Sequence, residues 1–142
     1  MEPLRLHGTC VAVEGRGALF RGGPGSGKSD LALRLIERGA QLVADDQVLI
    51  EKVSDGLRAL AEPRLQGRLE VRGIGVLDVP AVQAAPLSAI FDLTAGCDIP
   101  RMPEPSWAEL VPGYKTRVFK LAPFEASAPD KVRLTLSALL QL

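Results

Sequence analysis

The sequence contains no asparagine, one histidine, two cysteines, and only one tryptophan, one tyrosine and four phenylalanines. Without asparagine there is no N-glycosylation acceptor and no counterpart of the catalytic-loop asparagine of eukaryotic-type protein kinases. Cys10 and Cys97 lie far apart and match no metal-ligand spacing, so both are expected as buried free thiols in a reducing compartment. Neither sign of charge is in excess: 17 basic residues balance 17 acidic ones. That balance argues against nucleic acid as a partner held by a broad electrostatic footprint, and the scattered aromatics exclude an extended base-stacking platform. No apolar run is long enough to span a membrane, and the opening MEPLRLHG lacks the basic and apolar segments of a secretory signal. The expectation is a cytoplasmic protein with no membrane partner. At 142 residues, 46% of them apolar, the chain has the size and composition of one globular domain.

What is present begins with GGPGSGKS at residues 22–29, two glycines five apart followed by Lys28 and Ser29. A strand-like run, Ala18, Leu19 and Phe20, leads into it and a helix-like run, LALRLIERG, leaves it, which is the context a phosphate-binding loop requires. In such a loop the backbone amides of Gly22, Gly23, Gly25, Ser26 and Gly27 turn toward a polyphosphate and the helix N-terminus adds partial positive charge. The lysine reaches the β and γ phosphates and the serine hydroxyl is placed to ligate Mg²⁺. Pro24 offers no amide, and Asp30 follows the loop directly.

Residues 4–22 read as strands with a turn at residues 14–17. A helix over about residues 28–38 is stopped by Gly39, and Leu42, Val43 and Ala44 return as a strand, giving a parallel strand–helix–strand unit. Its second strand ends in Asp45 and Asp46, beside the loop. Further strands are predicted at residues 57–61, 69–72, 76–79, 90–94 and 117–121, a long exposed loop over residues 97–113, and a last helix capped by Ser127. Pro129 and Asp130 suit the first turn of that helix, and Val132, Leu134, Leu136, Leu139 and Leu140 its apolar face. The fold class expected is α/β: a phosphate-loop mixed sheet with flanking helices.

Asp45 and Asp46 are the groups placed to accept a proton from a phosphoryl acceptor or to hold a metal; spacing alone does not divide the two roles. Glu70 and Arg72, two apart on a strand, share a face, as an ion pair on a surface strand or as groups turned toward metal and phosphate. His7 is either a structural residue of the first strand or an edge of the phosphate site.

Read in order, LHG, GGPGSGKSD, RGAQLVADD and LEVRGIGVLDV resemble the catalytic domain of HPr kinase/phosphorylase, over residues 6–79. The resemblance implies a phosphoenolpyruvate-carboxykinase-like site and an ATP- and Mg²⁺-dependent serine kinase. Its substrate would be HPr, the phosphocarrier of the phosphotransferase system, and the reaction would be reversible by phosphorolysis, with phosphate or pyrophosphate as ligands. It assigns the nucleotide phosphates to Gly22, Gly23, Pro24, Gly25, Ser26, Gly27, Lys28, Ser29 and Asp30, with His7 at the edge. Asp45 becomes the general base, Ser29, Asp46 and Glu70 serve Mg²⁺, and Arg72 the phosphate charge. The implied assembly is a homo-oligomer, a hexamer by family habit, of a single catalytic domain spanning residues 1–142 without an N-terminal domain. Pro24 stands where the family usually has serine, and the family's late proline–glycine–arginine segment is echoed only by Pro112, Gly113 and Arg117. A small-molecule kinase, or a nucleotide-gated module with little turnover, would use the same loop.

Overall fold

The computed structural model describes residues 2–142. The chain forms strands β1 (Leu4–His7), β2 (Thr9–Val13) and β3 (Arg16–Arg21), helix α1 (Lys28–Ile36), then β4 (Gln41–Ala44), β5 (Gln47–Val53) and β6 (Gly56–Leu60). A hairpin of β7 (Arg68–Val71) and β8 (Gly75–Asp78) follows, then β9 (Ala84–Leu93), β10 (Ser106–Val111), β11 (Tyr114–Leu121) and helix α2 (Ala128–Ser137). Nine of the strands form one mixed sheet running β1-β5-β6-β9-β3-β2-β4, with β11 on β9 and β10 on β11.

The sheet forks at β9. Its first residues pair with β6 through Ala84, Ala85 and Pro86, and its later ones, Ala89 to Leu93, pair in parallel with β11. Its other edge runs parallel to β3 from Leu87 to Asp92. Period-two alternation therefore feeds two cores. Val11, Ala18, Phe20, Leu42, Ala89 and Phe91 meet Leu31, Leu35, Val132 and Leu136 of the helices. Cys10, Leu19, Val43 and Ile90 face Val48, Ile50, Leu57 and Ala59 of the other branch. Burial on both faces is why the central strands read as almost unbroken apolar runs. The expected mixed α/β sheet is found, with both helices packed into the same core and strands covering the opposite face.

Helix α1 stops two residues before its expected end, in a turn closed by Gly39 at φ +101°. Strands β3 and β4 are parallel, as predicted, but β2 lies between them, antiparallel to both. Asp45 and Asp46 still emerge at the loop end of the sheet. Strands β7 and β8 do not join the sheet: they pair only with each other, Glu70 opposite Val76. The cause is one-sided burial, since Leu69 is fully buried whereas every residue of β8 is exposed. The chain beyond this hairpin is held to β4 by Leu42 N–H donating to Pro80 O (2.8 Å) and Val82 N–H to Leu42 O (3.0 Å).

The segment expected as a long loop contains β10. Its prolines, Pro100, Pro103 and Pro105, precede the strand, and Trp107 packs over the Arg117 guanidinium (5.0 Å), which also faces the Phe119 ring (4.8 Å). Ser127 makes no side-chain cap because its backbone is already helical (φ −83°, ψ 0°). Asp130 instead pairs with Arg38 at 2.7 Å, tying α2 to the end of α1. Of the expected apolar face of α2, Val132 and Leu136 are buried while Leu134 and Leu140 are exposed. No helix among the described residues is long and apolar enough to cross a membrane.

The cysteines divide. Cys10 is buried and desolvation pushes its thiol up to about 12, whereas Cys97, expected as buried, is exposed in a short turn at Gly96–Asp98. At about pH 8 a thiol reagent is expected to label Cys97 in the native chain and Cys10 only after denaturation, because the thiolate is the reactive form. Since the native Cys10 holds its proton longer than an unfolded thiol, its contribution to stability is lost as pH rises from about 9 towards 12. Native labelling of both thiols would contradict this placement.

Candidate active site

The loop after β3 and the first turn of α1 form one wall of a cleft of about 520 Å³. Gly22 is required by close approach: a Cβ there would lie 2.5 Å from Ser26 Oγ. Gly27 stands at φ +98° as the N-cap of α1 and offers no side chain to its amides. The helix N-terminus thus presents donors that no side chain satisfies, at its positive end. Lys28, nearly buried, donates to Gly22 O (2.7 Å) and Gly23 O (3.0 Å), so its ammonium is held across the loop it belongs to. Gly22 and Gly23 do not line the cleft, whereas residues 24–30 do. Asp30 also pairs with Arg34 at 3.0 Å, one turn along α1.

The opposite wall comes from β2, the β4–β5 turn and β7. Asp45 Oδ1 accepts from Ser29 Oγ (2.9 Å) and Thr9 Oγ1 (3.0 Å), and its Oδ2 accepts from the Glu70 amide at 3.3 Å. Asp46 lies at φ +71°, a left-handed conformation that aspartate tolerates better than most residues. Gly8 N–H donating to Asp46 O (3.0 Å) and Gln47 N–H to Asp45 O (2.9 Å) hold that turn. Asp46 Oδ1 stands 3.4 Å from His7 Nδ1, both side chains being more than half exposed. Adjacent aspartates are thereby given different surroundings, Asp45 braced by three donors and Asp46 open to the cleft.

His7, Lys28, Ser29, Asp45, Asp46, Glu70 and Arg72 all line this one cleft. Glu70 and Arg72 reach it from the separate hairpin, Arg72 lying just past the end of β7. Thr9, Leu33, Val71 and Phe124 line it too, unanticipated from sequence. For Thr9 the signal was only its nearness to His7, since the chain leaves β1 at His7 and enters β2 at Thr9. For Phe124 there was none, as it arrives from after β11.

The donor set suits a hard divalent cation. The Ser29 hydroxyl and the Asp45 carboxylate are oxygen donors brought side by side, the ligand type Mg²⁺ prefers. Asp45, Asp46 and Glu70 do not form a joint carboxylate cage, since no group of three or more His, Cys, Asp or Glu suited to a metal occurs among the described residues. A cation here would take one or two protein oxygens and complete its shell with phosphate and water, as Mg²⁺ commonly does.

Comparisons with known proteins agree with this geometry. Residues 2–85 match the family model of the HPr serine kinase C-terminal domain. An HPr kinase/phosphorylase of Clostridium tetani is 46% identical over 89 residues, covering 63% of this chain and 28% of that protein. One of Clostridium novyi is 49% identical over 78 residues, 55% and 25% of the two chains. This chain therefore aligns with only about a quarter of the length of these curated relatives. A solved HPr(Ser) kinase/phosphatase of Coxiella burnetii superposes with a TM-score of 0.81 over 97% of this chain and 96% of that one. At 24% identity it establishes the shared fold.

Proposed function

Because the chain belongs to the HPr serine kinase C-terminal domain family, we propose that it transfers the γ-phosphoryl group of ATP to a serine of the phosphocarrier HPr. The observation that carries this reading is the convergence of a phosphate loop, with an uncapped helix N-terminus, on the Ser29–Asp45 pair in one cleft. The acceptor follows from the names of the curated relatives. ATP and Mg²⁺ follow from the loop chemistry and the family.

In this reading the amides of the first turn of α1 and the Lys28 ammonium bind the β and γ phosphates and neutralise their charge. Ser29 and Asp45 would hold Mg²⁺, which when bound would supply charge neutralisation for the nucleotide phosphates. The sequence resemblance gave the base to Asp45 and the metal to Asp46. The geometry favours the exchange, because Asp45 is bonded to the loop residue Ser29 and to Thr9, whereas Asp46 stands open to the cleft where a hydroxyl would arrive. Asp46, exposed beside His7, then accepts the proton of the serine hydroxyl, and His7 orients it. Arg72 offers countercharge to the transferred group and Glu70 braces Asp45 through its amide. Run in reverse with inorganic phosphate, Asp46 returns the proton to the serine oxygen.

By family habit the accompanying proposal is that this catalytic domain assembles as a homo-oligomer, a hexamer. Incubation with ATP, Mg²⁺ and HPr, followed by mapping of the modified residue, is expected to show one phosphoserine on HPr. Transfer to a metabolite alone would favour a small-molecule kinase, and nucleotide binding with no transfer a regulatory module.

A further inference from the structure

Among the residues of the cleft that the proposed transfer leaves unused, one is aromatic. Phe124 lines it with 69% of its surface exposed, whereas Phe20 and Phe91 are buried. Single exposed apolar residues are ordinary on protein surfaces, but the backbone that carries this ring is tied down. The Arg34 guanidinium donates to the carbonyl of Pro123 and, at 3.4 Å, to that of Glu125, so the backbone on both sides of Phe124 is tied to α1. The ring edge rests on the phosphate loop itself: a Cβ at Gly27 would stand 2.9 Å from Phe124 Cζ and 3.1 Å from Cε1. Any side chain at position 27 would displace the ring, apart from the strain of φ +98°.

An aromatic face is thus held at the residue before Lys28, beside the amides that address phosphates. A cleft of about 520 Å³ has the size of sites that enclose whole nucleotide-sized ligands. We infer that Phe124 is the surface on which the nucleobase of the phosphoryl donor stacks, an inference that rests on the nucleotide reading above and extends it to the other end of the ligand. Stacking on a ring uses the π-face that every base has, so it recognises a base without reading its edge. The consequence is a donor site that favours nucleotides over bare polyphosphates by about the tenfold that one stacked base supplies and separates adenine from guanine weakly.

Calorimetric titration with ATP, GTP and tripolyphosphate, each with Mg²⁺, tests this on the wild type, Phe124→Ala and Phe124→Trp. Removing the ring is expected to weaken ATP and GTP binding by about tenfold, within the range alanine substitution gives for a stacked base. Tripolyphosphate affinity should be unchanged, and Phe124→Trp should bind ATP like the wild type. Undiminished ATP affinity in Phe124→Ala, or an equal loss for ATP and tripolyphosphate, overturns the inference while leaving the phosphate loop standing. A wild type that binds neither ATP nor tripolyphosphate removes the nucleotide reading, and the stacking role with it.

Discussion

Replacing Lys28 by alanine is expected to lower phosphoryl transfer by about 10³-fold or more, the order lost when a charge that stabilises a transferring phosphoryl group is removed. Nothing else in the loop carries positive charge, and Arg72 approaches from the far wall on a hairpin outside the main sheet. The loss should appear mainly in kcat, since the charge that lysine balances grows at the β–γ bridge as the bond breaks. Stability should hardly change. The carbonyls that Lys28 engages belong to Gly22, half-buried, and Gly23, exposed, so water can replace the ammonium there. Transfer measured against ATP concentration, together with a thermal melt, separates these effects. A near wild-type rate in Lys28→Ala would exclude the loop as the site of transfer.

The second large effect separates the two aspartates. Asp46→Asn is expected to cut the maximal rate by about 10²–10⁴-fold, the usual worth of a positioned general base, with nucleotide affinity nearly unchanged. Asp45→Asn should instead raise the Mg²⁺ concentration needed for half-maximal rate, because the amide keeps one oxygen for Ser29 and Thr9 but loses the negative charge a cation needs. Rate measured against Mg²⁺ for both variants distinguishes them. Should Asp45→Asn lose its maximal rate at every Mg²⁺ concentration while Asp46→Asn is restored by added metal, the roles are the reverse of those proposed. If both transfer normally, the acidic pair is a solvated turn and the mechanism fails.

Much of the cleft could be read from local sequence, because the phosphate loop, α1 and the Asp45–Asp46 turn are short-range features whose glycines and charges declare them. The hairpin carrying Glu70 and Arg72 was legible as two strands but not as a separate pair. Nothing in LEVRGIGVLDV says that β8 finds no burial. Strand β10 was hidden because it buries almost nothing except Val111 and follows a run of prolines, so its alternation is faint. The different surroundings of Asp45 and Asp46 depend on Thr9 and Ser29 converging on Asp45 from 36 and 16 residues away. Phe124 reaches Gly27 from almost a hundred residues downstream, a contact no periodicity announces.

The fork of the sheet at β9 governs how the chain can reach this state. β3, which launches the phosphate loop, finds its parallel partner only in residues 87–92, some seventy positions later, and β9 in turn waits for β11. Parallel pairings of such sequence separation carry loop-closure entropy before they return any contact energy, a feature that slows folding in general. Residues 2–85, the part that matches the family model, stop short of every one of those parallel pairs. Cut at that boundary, the loop, the lysine and both aspartates would all remain in the chain, on a strand with one edge bare and a helix without the strand and helix that complete its core.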